Sequence, residues 1–460
     1  PLQKSVPLDI FPAGAIDSMK VQKSATADIP SSFGGGYIDI RTKTSSDEDF
    51  VKVSVEGKAN TSSFTEKNTY EGSDTDFLGF DDGYREIDET ILENSQVVEG
   101  QRNTAFTPDN YTEEELSRFT QDYVNRNYDV MKKNQLPGFG FGVEAAESLP
   151  FSSKHHVTLF GNYKYSTDSE SRRETYKKYN MAKGTGELYP DPIQYGNISN
   201  SMTEYVHNGM ANIGYSYSNA FRVVYTKLWT HNAENVTRIV NGIMGSNDED
   251  MTKYYLNWDE RTLDVDQLTG GFDYELFANE TNFSFGLEHA AAKLYQPNNY
   301  HYTFRNEGVP FLDHKISNNI ANKLESDDAV FALFAKNKFH FGILGSTNFL
   351  ELGASMSSKK RESRQYKFFL NKVGAGSIVD DHDMTGTVED IYDTYVRPEI
   401  PYDERSLVLG QLFKAADLYD ADVDETAVFV NAFSRPWSRM EILLGVRYVD
   451  FSQSIYQYLE

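Results

Sequence analysis

The 460-residue sequence contains no cysteine and only three tryptophans. Without cysteine there are neither disulfides nor thiolate metal sites, and nothing marks a redox compartment. Long apolar runs are missing as well. The stretch Ala329–Ala335 is far short of the roughly 18 to 20 residues a membrane helix needs. Glycine has no period of three and heptad formers do not dominate, which removes collagen and coiled coil. Positive charge is scarce: 44 Lys and Arg stand against 69 Asp and Glu, a net charge of −25. A surface that displaces counterions from nucleic acid needs the opposite sign, so no nucleic-acid partner is expected.

Aromatic residues, by contrast, are abundant. Thirty Tyr and thirty Phe exclude a disordered chain. The acids are unevenly spread. Glu66–Asp129 carries seventeen Asp and Glu against five Lys and Arg, and Asp380–Glu425 fourteen against three. The rest of the chain is nearly neutral, so the charge is assigned to two long connections and not to the scaffold.

The scaffold reads as alternating strands. Val51, Val53 and Val55 alternate with Lys52, Ser54 and Glu56; Phe283, Phe285 and Leu287 with Ser284, Gly286 and Glu288; Ile442, Leu444, Val446 and Tyr448 with Gly445 and Arg447. One face of each strand wants an apolar neighbour and the other wants water. Short and long connections alternate. Short ones are expected at Ser148–Ser153, Ser218–Asn219, Ala278–Glu280, Gly342–Ser346 and Arg435–Ser438. Long ones are expected around Phe64–Leu136, Arg172–Ser201, Gly242–Met251, Gln296–Ser326 and Lys372–Asp422.

Outer-membrane barrels place short turns at the periplasmic side and long loops outside. Aromatics crowd the short turns (Phe151, Tyr215, Tyr217, Phe221, Phe277, Phe339, Phe341, Phe349 and Trp437), where an interfacial girdle would lie. A soluble up-and-down barrel or a long sandwich is the alternative. Within the first long connection, Thr112 and Glu115 form a capping-box pattern, followed by Leu116, Phe119, Tyr123 and Val124 at helical spacing. Leu409, Leu412, Phe413 and Ala416 suggest a second helix.

The opening segment stands apart from this ladder. Val6-Pro-Leu-Asp-Ile-Phe-Pro-Ala-Gly-Ala-Ile-Asp-Ser-Met-Lys-Val-Gln-Lys-Ser, followed by Phe33-Gly-Gly-Gly-Tyr-Ile-Asp-Ile-Arg-Thr-Lys43, resembles the C-terminal part of the plug domain of TonB-dependent receptors. Pro12, Ile16, Val21, Lys23, Gly35, Gly36, Ile38, Ile40, Thr42 and Lys43 carry the pattern. Lys20 and Ser24-Ala25 depart from it, where the family often has Glu and Gly-Pro. Weaker echoes lie at Tyr419-Asp-Ala421 through Phe429, at Leu444-Gly-Val-Arg-Tyr448, and at Leu78-Gly-Phe-Asp-Asp-Gly83.

The resemblance implies an all-β fold: an antiparallel transmembrane β-barrel with the end of a globular plug. Residues 1–46 would be plug and residues 47–460 about eleven of twenty-two barrel strands with long extracellular loops. The chain is thus expected to be an internal fragment, and an eleven-stranded closed can is the alternative. The implied activity is active import of a scarce or large substrate across the Gram-negative outer membrane. A passive porin or an adhesin-like binding barrel is the other reading. Implied partners are the TonB–ExbB–ExbD energy complex, acting through a segment preceding this chain, outer-membrane lipid and lipopolysaccharide, and a small-molecule, carbohydrate or peptide substrate. Phe77, Phe80, Asp81, Asp82, Tyr84, Tyr189 and Tyr195 are candidate substrate contacts in the loops.

No catalytic residue, metal ligand or cofactor is assigned. There is no Gly-x-Ser-x-Gly, His-Glu-x-x-His or phosphate loop. Barrel enzymes need Ser–His or Asp–His groups converging at one rim, which linear sequence leaves open. His155 and His156 are adjacent in a strand and point to opposite faces. Asp420-x-Asp422-x-Asp424 imitates a calcium loop, but Glu425 stands where glycine is required, so a solvated acidic loop is expected there.

Overall fold

The computed structural model describes all residues except 1–15, 31–35, 43–48, 62–63, 96–105, 108, 180–193, 219, 245–248, 314, 316–317, 344–345, 373–382, 397–406, 413, 415–416, 438 and 459–460. A hairpin of β1 (Ile16–Gln22) and β2 (Tyr37–Thr42) comes first, then β3 (Phe50–Lys58). The connection that follows holds β4 (Glu66–Thr69), α1 (Glu89–Glu93), α2 (Glu113–Tyr123) and β5 (Met131–Asn134). Next are β6 (Gly138–Pro150), β7 (His155–Lys178), β8 (Gln194–Tyr217), β9 (Phe221–Met244) and β10 (Glu249–Leu276). β11 (Asn279–Arg305), β12 (Phe311–Leu312), β13 (Asn319–Ile343) and β14 (Ser346–Lys372) continue the series. α3 (Val388–Tyr395), β15 (Leu407–Leu412), β16 (Leu418–Trp437) and β17 (Met440–Gln457) end it.

The protein is all-β in class, dominated by one antiparallel sheet of thirteen strands. Its spine is an up-and-down meander, β3-β6-β7-β8-β9-β10-β11-β13-β14-β16-β17, with β12 and β15 added beside β11 and β14. Among the described residues, β3 pairs only with β6, and β17 only with β16.

Directly opposed residues of an antiparallel pair share a face, so the register sorts side chains into two surfaces. One row runs Leu159–Ile213–Tyr225–Leu268–Leu287–Leu333–Met356 across β7 to β14. The next row, on the other face, runs Phe160–Asn212–Thr226–Gln267–Glu288–Ala332–Ser357–Glu425. The first row is apolar; Leu159 is half-buried, but from Ile213 to Met356 it is exposed, between 54% at Ile213 and 36% at Leu268. The second is mostly polar. On that face Lys164 pairs with Glu56 at 2.8 Å, Arg361 with Asp328 at 2.6 Å and Arg447 with Glu425 at 2.9 Å.

All five short connections lie where the alternation places them, between β6 and β7, β8 and β9, β10 and β11, β13 and β14, and β16 and β17. Three expectations are corrected. Gly242–Met251 is not a long loop: β9 and β10 stay in register up to Met244 opposite Glu249, leaving four residues, 245–248. The helix expected from Leu409 is strand β15, whose Leu407, Val408 and Leu409 are all buried. A strand buried on both faces has a continuous apolar run, which a helical template also matches. Phe413 and Ala416 lie outside the described residues. Asp420, Asp422 and Asp424 belong to strand β16 and share one face by simple alternation, so they form no loop.

The large dry core sits outside the spine. It gathers Ile91 of α1, Leu116, Phe119 and Tyr123 of α2, Ile391 and Tyr392 of α3, and Leu407 and Leu409 of β15. Leu256, Tyr300, Ala321 and Phe368 form the floor, a single cross-strand row near the loop ends of β10, β11, β13 and β14. By register this row continues the face of the exposed apolar row. The capping box of α2 forms as the sequence predicts, and Thr387 with Asp390 makes a second one at α3. The two acidic connections meet here: Tyr128 N–H donates to Glu389 at 2.8 Å, Val388 N–H to Asp129 at 3.0 Å, and Leu409 N–H to the Thr120 hydroxyl at 3.0 Å.

Candidate functional site

The sequence Ser73–Arg85 folds into a tongue laid on the apolar face of β7 to β10. Its tip is a single helical turn, Asp76–Leu78, ended by Gly79 in the left-handed region at φ 76°. A Cβ at this glycine would meet the Tyr205 Cβ at 3.0 Å, so glycine supplies both the backbone angle and the close approach. The sheet holds the tip by its carbonyls. Tyr165 donates to the Phe77 carbonyl. His207 Nε2 lies 2.8 Å from the Leu78 carbonyl, and His231 Nε2 lies 2.6 Å from that of Gly79. A neutral imidazole protonated at Nε2 serves both, leaving Nδ1 to accept from Tyr163 (2.7 Å) and Thr262 (2.9 Å). Phe80 stacks on His231 with centroids 4.0 Å apart.

Behind the tip, Arg85 binds Asp76 at 2.5 Å and Asp81 at 2.7 Å, with its guanidinium 4.2 Å from the centre of the Trp258 ring. Its side chain is 2% exposed and that of Asp81 is 0%. Burial opposes the Arg85 charge, but Tyr70, Asp76 and Asp81 more than restore it. Burial also pushes the Tyr70 hydroxyl up to about 12. Glu260 closes the circuit, accepting from the Trp258 indole and from the Asp81 N–H, each at 2.8 Å. A buried cation with paired carboxylates and fixed donors makes this base rigid.

Beside the tongue lies a polar cleft of about 280 Å³, whose lining includes Asp81, Glu86, Glu260, Lys293 and Tyr295. Tyr295 donates to Glu86, and Lys293 pairs with Glu325. The cleft's charges thus largely answer one another.

The candidate substrate contacts are only partly gathered. Phe77, Phe80, Asp81, Asp82 and Tyr84 all belong to the tongue. Asp81 is turned inward onto Arg85, while Phe77 is 62% exposed at the tip. Tyr195 is far up β8, opposite Ile243. Tyr189 lies outside the described residues. Sequence reasoning missed His207, His231, Arg85 and Trp258. A signal existed for the histidines: they are directly opposed across β8 and β9, but the pairing is known only once register is fixed.

The N-terminal hairpin pairs Val21 with Ile38 and Ile16 with Thr42, so four residues of the opening motif meet across β1 and β2. Ile40 lies opposite Met19, Lys23 and Gly36 flank the strands, and Pro12, Gly35 and Lys43 lie outside the described residues. Between the two strands, the chain touches the polar face of the large sheet. Asn431 donates to the Asp28 carboxylate at 3.2 Å and Arg447 to the Ala27 carbonyl at 3.3 Å. A Cβ at Gly445 would lie 2.8 Å from that of Ala27. Burial opposes the Asp28 charge, but hydrogen bonds from Thr26 and Asn431 and the charge of Lys336 hold its carboxyl below the usual range.

No family model, curated protein or solved structure matches this chain.

Proposed function

We propose that this chain is part of a TonB-dependent receptor of the Gram-negative outer membrane, an active importer whose N-terminal segment is the end of its plug. The observation that carries the reading is the contact of residues 27–28 with Asn431 and Arg447 on the polar face. A barrel wall in lipid turns its apolar face outward and its polar face to the lumen. A segment bonded to the polar face is then inside. The exposed apolar row supports the same orientation, as do the long connections, which lie at the opposite end of the spine from the five short turns, the four-residue β9–β10 connection excepted.

In this reading, substrate binding from outside biases the plug between two arrangements, and TonB–ExbB–ExbD acts on a segment preceding this chain. The ligand must bind those arrangements with different affinity, since otherwise it shifts nothing. The long connections face outward, and their acids disfavour an anionic cargo.

The full receptor in a planar lipid bilayer tests this. With the plug in place the pore should be closed to ions, and deletion of the plug, residues 1–46 together with the part of it that precedes them, should open a large steady conductance. Steady conductance through the undeleted protein would instead mark a passive porin. Silence both before and after deletion would remove the plug assignment.

A further inference from the structure

We propose that the tip Phe77-Leu78-Gly79-Phe80 is a membrane-interface anchor, inserting its apolar side chains among the outer-leaflet lipids at headgroup depth. The inference rests on the outer-membrane reading and goes beyond it, because it moves these residues from the substrate's side of the wall to the lipid's.

Register decides which side the tongue occupies. Tyr165, His207, His231 and Thr262 form one cross-strand row. Three rows further toward the short turns along the same face come the half-buried Leu159 and the exposed Ile213, Tyr225 and Leu268, the apolar residues of the lipid side. The polar face, which holds Asn431 and Arg447, is the opposite one. The tongue therefore lies on the outside of the wall.

Height follows from strand length. Tyr165, His207 and His231 stand about ten residues from the turn ends of their strands at His155, Tyr217 and Phe221, which is the length a tilted strand uses to cross the hydrocarbon. Lys227, paired with Asp264 and with Asp266 at 2.9 Å, lies on the same face two rows below the histidines. Such an ion cluster belongs at the edge of the hydrocarbon and not within it. The tip is thus level with the headgroups.

What it presents there is apolar. Phe77 is 62% exposed, Leu78 42% and Phe80 37%. Tyr163, itself 41% exposed, stands one row below the tip on the same face and extends the patch downward. Tyr163, with an apolar ring and a polar hydroxyl, is favoured at this depth, and the Phe and Leu side chains of the tip gain by leaving water for the boundary between headgroups and acyl chains. The fixed geometry fits the same role. Tyr165, His207 and His231 hold three carbonyls of the tip, which satisfies these backbone acceptors near lipid; Phe80 lies against His231, and Phe77 is the most exposed side chain of the tip.

These 460 residues contain no cysteine, so an introduced thiol is unique within them, and any cysteine elsewhere in the receptor is first replaced by serine. The full protein carrying Phe77→Cys is labelled with an environment-sensitive fluorophore. It is then reconstituted in phosphatidylcholine–phosphatidylglycerol vesicles containing lipid with a nitroxide on the headgroup. Leu268→Cys and Tyr195→Cys, on the same face below and above the tip, are the controls. The label at Phe77→Cys should lose most of its emission to the headgroup quencher, while Tyr195→Cys keeps its own. Leu268→Cys should respond to a mid-chain quencher. Emission at Phe77→Cys as unquenched as at Tyr195→Cys, with Leu268→Cys quenched, would overturn the anchor and leave the barrel reading intact. Failure of the mid-chain quencher at Leu268→Cys would remove the membrane reading, and the anchor with it.

Discussion

The strand ladder and the loop cap are stabilised in opposite ways. In the spine, backbone hydrogen bonds run unbroken for more than twenty residues in several strand pairs, while the side chains of one face are left exposed. In the cap, regular structure is short, but Ile91, Leu116, Met384, Tyr392 and Leu409 are all at 0% exposure. On the proposed outer-membrane reading the apolar face meets lipid, and the sheet needs no dry core of its own because its backbone groups are satisfied pairwise. A connection that must hold its shape in water needs one. The hydrophobic core of this chain is therefore built from segments that carry most of its negative charge.

The largest test of that contrast is Arg85→Ala. It leaves Asp76 and Asp81 buried without their cation, and breaking a buried pair in this way costs about 3–5 kcal/mol. The loss should be local. Hydrogen exchange should accelerate through residues 73–93, while the amides of β8 and β9 remain protected. Equal loss of protection in β8 and β9 would mean that cap and spine unfold as one unit.

Next in size is a comparison between the two faces of one strand. Leu268→Arg places a charge on the apolar face, one row inside the Lys227–Asp266 cluster, and should destabilise the protein in lipid by about 1–3 kcal/mol, between the interfacial and midplane costs, read from denaturant unfolding in vesicles. Gln267→Arg, one residue away on the polar face opposite Thr226 and Glu288, should be nearly neutral. Similar costs at both positions would show that the two faces are not differently solvated.

A smaller effect is expected at the tip. Gly79→Ala forces a left-handed alanine, worth about 1–2 kcal/mol, and crowds Tyr205 at 3.0 Å. Exchange at the amides of the tip should rise, with the Arg85 cluster keeping its protection. An unchanged tip would mean that the backbone there relaxes freely.

The spine was legible because alternation is a property of each strand alone: Val51, Val53 and Val55 state their face without reference to any partner. The capping box at Thr112 was legible for the same reason. α3 offered an equally local signal, Thr387 three residues before Asp390, in a segment expected to be loop. What sequence could not supply was the meeting of distant segments. β15 packs beside β14, and Thr120 reaches Leu409, 289 positions away. The tongue shows the limit most clearly. Its Phe77 and Phe80 were legible as exposed loop aromatics, but which side of the wall they occupy depends on the register of His207 against His231. Composition does not determine that pairing.

The smallest expected effect is a pH dependence confined to the helix starts of the cap. Asp390 accepts from the Thr387 N–H at 3.1 Å and from its hydroxyl at 3.0 Å, and these bonds hold its carboxyl below the usual 3.8. Glu115 is lowered in the same way by Thr112, from the usual 4.5. A carboxyl lowered by folding binds its proton more weakly in the folded chain than in the unfolded one. Its stabilising contribution is therefore complete above the unfolded value and is lost as pH falls through the folded one. From neutral pH down to about pH 5 the first turns of α2 and α3 should be unaffected, and below about pH 4 they should fray progressively. Amide exchange, corrected for its intrinsic rate, reads this at Glu115 and Asp390, whose N–H groups donate to Thr112 and Thr387. Asp390→Asn should remove the dependence at α3 and leave that at α2. Fraying that began near neutral pH, or that persisted in α3 of the Asp390→Asn variant, would show that other groups govern the cap's response to acid.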